Sequence, residues 1–92
     1  MNKIEKKVTV VNKKGLHARP AAMFVGLVEK FDVTVTLAKD EEKVNGKSIM
    51  GILMLGAVAG TVLTITVEGN EASAAMSEFD NFFSKQEEEL IP

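Results

Sequence analysis

Two stretches of this chain alternate strictly between large apolar residues and threonine. Val33, Val35 and Leu37 interleave with Thr34 and Thr36, and Leu63, Ile65 and Val67 interleave with Thr64 and Thr66. A period of two puts the apolar side chains on one face and the hydroxyls on the other, so both stretches read as half-buried strands. Their apolar face needs a cover, and the chain supplies it with the helical period. Ala21, Phe24, Val25 and Val28 recur at i, i+3, i+4 and i+7 in a helix from Pro20 to about Phe31. Ala72, Ala75, Met76, Phe79 and Phe83 share one face of another helix, for which Asn70 is a suitable N-cap.

The remaining elements are shorter. Ile4 to Val11 carries Val8 and Val10 on one side of a first strand, and Asn12-Lys13-Lys14-Gly15 ends it. Asp40-Glu41-Glu42 is a turn before a brief strand around Lys43 to Asn45. The apolar run Ile49 to Leu55 reads as a short helix with Ser48 at its N-cap, followed by a turn bracketed by Gly56 and Gly60. The order is β-α-β-β-α-β-α, an α+β two-layer arrangement with one sheet and one buried face. Ninety-two residues leave room for a single domain, residues 1–92, with Lys85 to Pro92 and its three consecutive glutamates expected to be a frayed tail.

Composition removes whole classes of function. Eleven Lys and Arg against thirteen Asp and Glu give a net charge of −2, which argues against a phosphate-backbone interface and hence against nucleic acid. The absence of cysteine excludes disulfides, thiolate metal sites and thiol catalysis, and a single histidine excludes multi-imidazole metal centres. Neither a metal nor a cofactor is expected. Charge at the N-terminus gives way to Val-Thr alternation rather than a signal-peptide core, and Gly51, Gly56 and Gly60 interrupt the apolar stretch from Ile49 to Val67. Membrane insertion is not expected, and the reading is of a cytoplasmic protein.

The chemistry concentrates on that one histidine. His17 lies where a strand's exit loop meets a helix whose first turn holds Pro20. Helix N-termini present unpaired N–H groups and a partial positive charge, here the amides of Ala18 and Arg19, and so suit a dianionic group. An imidazole beside those donors is a nucleophile fit to carry a phosphoryl group, with Arg19 holding the oxygens by charge-assisted hydrogen bonds. The plainer alternative is that His17 is a loop or capping residue.

Two further segments stand out. Gly46-Lys47-Ser48 looks like the end of a nucleotide-binding loop, but Glu41 stands where the first glycine is required, so nucleotide binding is rejected. Ser48 reads as a structural N-cap where an added phosphate would meet free donors. The helix from Ile49 is apolar nearly all round. Its expected division puts Ile52 and Leu55 inward and makes Ile49, Met50 and Leu53 an exposed patch, with Gly51 admitting a close neighbour.

Gly15-Leu16-His17-Ala18-Arg19-Pro20-Ala21 together with Val44-Asn45-Gly46-Lys47-Ser48-Ile49-Met50-Gly51 closely resembles the two signature segments of the HPr family, the histidine-containing phosphocarriers of the bacterial phosphotransferase system. The spacing between the segments fits as well. The resemblance implies an open-faced sandwich, a four-stranded antiparallel sheet covered on one face by helices. It implies that His17 takes a phosphoryl group on Nδ1 from phosphorylated enzyme I and yields it to sugar-specific IIA domains, with Arg19 neutralising the group and Pro20 starting the helix. It further implies that Ser48 is the serine modified by HPr kinase/phosphorylase, that a transcriptional regulator is a possible partner of the modified form, and that Ile49, Met50 and Leu53 are the docking patch of a monomeric carrier. The chain departs from the family pattern in its acidic Lys39 to Glu42 turn, in Gly46 and in its glutamate-rich tail. Two rival readings use the same residues: a nitrogen-type or purely regulatory relative acting through His17, and a non-catalytic binding module in which His17 and Ser48 only cap helices.

Overall fold

A computed structural model describes residues 2–90 of the chain. The elements are β1 (Lys3–Thr9), α1 (Ala18–Val28), β2 (Thr34–Lys39), β3 (Glu42–Asn45), α2 (Ile49–Met54), β4 (Val62–Glu68) and α3 (Ala72–Phe83), followed by a 3-10 turn at Glu87–Glu89. The four strands form one antiparallel sheet in the order β1-β4-β2-β3. Both Val/Thr stretches sit in its middle, paired Val35 to Val67 and Leu37 to Ile65, so the period-two pattern buries all four of these side chains on one face. The opposite face of the sheet carries Lys3, Glu5, Thr36 and Thr66, which is the open face of the sandwich.

The helices cover the apolar face. Phe24 of α1 lies 5.1 Å from Phe79, 5.5 Å from Phe82 and 5.2 Å from Phe83 of α3, in tilted ring contacts that lock the two helices over the sheet. Lys6 of β1 reaches out beside that core to Asp80 of α3, with 2.7 Å between Nζ and the carboxylate. No helix among the described residues is long and apolar enough to cross a membrane.

Several boundaries differ from those read in the sequence, each for a local reason. β1 stops at Thr9, yet Val10 still donates to Thr61 O at 2.9 Å and accepts from Gly60 at 2.8 Å, so the pairing continues past the strand into a loop. α1 begins at Ala18, two residues before Pro20, because Ala18 and Arg19 need no intrahelical acceptor at a helix start. It ends at Val28, and Lys30 and Phe31 follow in a tighter turn bonded to Leu27 and Val28. The N-cap of α3 is Glu71 and not Asn70; the Glu71 carboxylate bonds the Asp32 amide at 2.6 Å instead of its own helix.

The largest correction concerns the tail. Residues 86–90 are not frayed. Gln86 and Glu89 close a reciprocal capping box, with the Gln86 amide donating to Glu89 Oε1 at 2.8 Å. The Gln86 side chain donates to Val11 O at 2.7 Å and accepts from the Lys13 amide at 3.0 Å, and Leu90 packs against the core. Ile91 and Pro92 lie outside the described residues.

Candidate functional site

His17 is the N-cap of α1, in extended backbone geometry, with its carbonyl accepting the first intrahelical bond from Ala21 at 3.0 Å. The amides of Ala18 and Arg19 precede that bond and have no carbonyl within the helix to take them. The positive end of the helix dipole therefore opens beside the imidazole. Pro20, third in the helix, has no amide to leave unpaired and buries its ring. Arg19 is exposed and forms no ion pair among the described residues, so its guanidinium is available to an incoming anion.

The loop that carries His17 is fixed from behind. The Leu16 amide donates to Ala57 O at 2.9 Å, and the Gly15 amide donates to Asn12 O at 2.9 Å. Gly15 has φ of +71°, and a Cβ there would come within 2.5 Å of Ala57 O and 3.0 Å of the Val58 Cα. Only glycine meets both the left-handed backbone and the close approach. The Asn12 side chain, buried, donates to Gly15 O at 2.9 Å.

The tail supplies a residue that sequence reasoning missed. The His17 Nε2 contacts the Glu87 carboxylate, and the Glu87 amide donates to Asn12 Oδ1 at 2.8 Å. The hydrogen bond with His17 holds the Glu87 carboxyl below its ordinary value, partial burial pushes the other way, and the charge of His17, the Asn12 amide and Lys14 assist the lowering. His17 keeps 39% of its side chain exposed while Glu87 keeps 13%, so the imidazole remains reachable from solvent with its acidic partner tucked behind it. A partner seventy residues away in sequence leaves no local signal; only the cluster of three glutamates was visible.

The second group of expected residues lies on α2, which packs against α1. Ser48 caps it, its Oγ accepting from the Gly51 amide at 2.9 Å. Ile52 and Leu55 are buried, and Ile49 and Met50 are exposed at 41% and 68%. Leu53 departs from the expected exposed patch, since it is half-buried and packed against the core. Met54, which the sequence reading left out, is exposed at 72%. It follows Met50 by four residues, a spacing that places both on one helix face. A Cβ on Gly51 would lie 3.1 Å from Ser48 Oγ and 3.2 Å from Val44 Cβ, the close neighbour expected there.

Among the described residues no cluster of acidic residues and histidine is arranged to hold a metal ion. What the site offers is a reachable imidazole, open helix donors and a free cation: the requirements of an acceptor for a dianionic group.

The family model for the PTS HPr component phosphorylation site matches residues 4–85. The chain is similar to the phosphocarrier protein HPr of Treponema pallidum, 41% identical over 86 residues, covering 94% of this chain and 98% of that one. It is also similar to the HPr-like protein Crh of Halalkalibacterium halodurans, 42% identical over 83 residues, covering 90% and 99%. The crystal structure of a phosphocarrier protein HPr from Bacillus anthracis superposes with a TM-score of 0.85 at 40% identity, covering 90% of this chain and 99% of that one.

Proposed function

Because this chain belongs to the HPr family of phosphotransferase-system phosphocarriers, we propose that it accepts a phosphoryl group on His17 from phosphorylated enzyme I and delivers it to IIA domains of sugar transporters. It acts as a stoichiometric carrier in the cytoplasm, not as an enzyme with turnover of its own. The observation that carries this reading is the position of His17 as a partly exposed N-cap beside the open amides of Ala18 and Arg19. Transfer between histidines asks little covalent work of the protein; it asks for alignment and for charge stabilisation of the moving group.

In the proposed step the Nδ1 lone pair of His17 attacks phosphorus while the P–N bond to the donor imidazole breaks, its electron pair returning to the donor nitrogen. The donor leaves as a neutral imidazole with its other nitrogen protonated. His17 then bears the phosphoryl group on Nδ1 and a proton on Nε2, a cationic ring joined to a dianion. The amides of Ala18 and Arg19 and the Arg19 guanidinium receive the phosphoryl oxygens. Onward transfer reverses the roles. Ile49, Met50 and Met54 give partners an adaptable apolar surface on α2, which packs against the helix that His17 caps, with half-buried Leu53 at its edge.

Ser48 fits a regulatory role. A phosphate there would add a double negative charge beside Ile49 and Met50 and oppose docking of an acidic partner. A likeness to Crh, the catabolite repression HPr of Bacillus subtilis, 40% identical over 91% of this chain with a TM-score of 0.64, favours a regulatory reading beside the carrier one.

The test is intact mass after incubation with phosphoenolpyruvate and enzyme I. The expected result is one acid-labile phosphoryl group on the native chain and none on His17→Ala. Failure of the native chain to gain it, with an enzyme I that charges other carriers, would favour the binding-module reading.

A further inference from the structure

The carboxylate of Glu87 accepts hydrogen bonds and cannot donate them, so its contact with His17 Nε2 requires a proton on that nitrogen. A neutral imidazole holds only one ring proton. With that proton on Nε2, the lone pair lies on Nδ1. We propose that Glu87 is a positioning residue for phosphoryl transfer, holding the His17 ring in orientation and in the Nε2–H tautomer so that Nδ1 alone is the nucleophile. This rests on the phosphocarrier reading and deepens it.

Glu87 is held for that task at several points. Its amide bonds Asn12 Oδ1 at 2.8 Å, and the same Asn12 side chain bonds the carbonyl of Gly15, two residues before His17. One buried amide thus ties the tail and the active-site loop to each other. Gln86 clamps the Val11 carbonyl and the Lys13 amide on either side of Asn12, and the capping box with Glu89 stiffens the turn. The strap spans the strand exit that presents His17. A carboxylate located by so many contacts is a fixed feature of the site and not a passing surface partner.

The arrangement serves both halves of the transfer. Before it, Glu87 keeps the proton off the attacking nitrogen. After it, the ring carries a phosphoryl group on Nδ1 and a proton on Nε2, and Glu87 faces the resulting positive charge while the helix amides face the dianion. No proton has to leave or arrive at either ring nitrogen of His17 during the step. The logic is that of a carboxylate orienting an imidazole from its far nitrogen.

The experiment compares the full chain with Glu87→Ala and Glu87→Asp. The ring 15N chemical shifts of His17 in the unphosphorylated protein, recorded above the pH at which the ring protonates, read the tautomer directly and need no partner. The native ring is expected to show a single protonated Nε2 and an unprotonated Nδ1. In Glu87→Ala the two shifts should move toward each other as the tautomers mix, and phosphoryl acceptance from enzyme I should slow about tenfold, with partial recovery in Glu87→Asp. Amide spectra and thermal melts confirm that the variants are folded. Unchanged ring shifts in Glu87→Ala would overturn the proposal, and so would altered shifts with an unaltered rate of acceptance. A native chain that takes no phosphate would instead overturn the carrier reading, while the ring spectrum would still decide whether Glu87 sets the tautomer.

Discussion

Asn12 is the buried polar side chain of the described residues, and each end of its amide is occupied: Nδ2 by Gly15 O, Oδ1 by the Glu87 amide. Replacing it with alanine strips both partners at once. Asn12→Ala is expected to cost about 2 kcal/mol in denaturant unfolding and to release the tail, seen as faster amide exchange at Glu87. A loss within error of zero would mean the clamp contributes nothing. Glu87 gives a sharper test through pH. Its carboxyl is held below the ordinary 4.5 by the His17 hydrogen bond, so the folded state favours the ionised form. The stabilisation is therefore complete above the ordinary value and is lost as pH falls through the lowered one. The stability difference between the native chain and Glu87→Gln should be constant near neutrality and shrink on acidification below the ordinary range. A difference independent of pH would show that the charge plays no part.

Helix α2 has only six residues, too few to persist on local propensity. It is held at one end by Ser48, whose hydroxyl takes the Gly51 amide, and at the other by Lys39 Nζ, which donates to Leu55 O at 2.9 Å. Ser48→Ala should destabilise the protein by about 1 kcal/mol without abolishing phosphoryl acceptance on His17. Ser48→Asp should retain the cap but slow acceptance from enzyme I; equal rates for Ser48→Asp and the native chain would remove the regulatory reading. Legibility at this scale followed the range of the forces involved. The Val/Thr strands and the Ser48 cap were readable because alternation and capping act within a few residues. Pro20 is the strongest local start signal for α1, yet the helix begins two residues earlier because Ala18 and Arg19 already have helical geometry. Asn70 looked like a cap, but Glu71 took the position while its carboxylate served Asp32, thirty-nine residues away. The ordered tail was invisible for the same reason: its partners Val11, Asn12, Lys13 and His17 lie at the other end of the chain, and a run of glutamates alone reads as solvated.

The sheet order β1-β4-β2-β3 and the phenylalanine cluster join these local devices into one body. Phe24 is fully buried and contacts three rings of α3, so it couples the helix that presents His17 to the last helix and, through it, to the tail that carries Glu87. Phe24→Ala should cost about 3–5 kcal/mol, a large share of the 5–15 kcal/mol typical of a whole domain, and a thermal melt reads it. A cost of about 1 kcal/mol or less would mean that the aromatic contacts do not hold the layers together. The central claim, that the molecule presents Nδ1 of His17 and keeps Nε2 against the tail, is tested most directly by locating the phosphoryl group. A 15N-labelled chain phosphorylated with phosphoenolpyruvate and enzyme I is expected to show 31P coupling to Nδ1 of His17, with Nε2 still protonated. Phosphate on Nε2, or on any residue other than His17, would contradict the account.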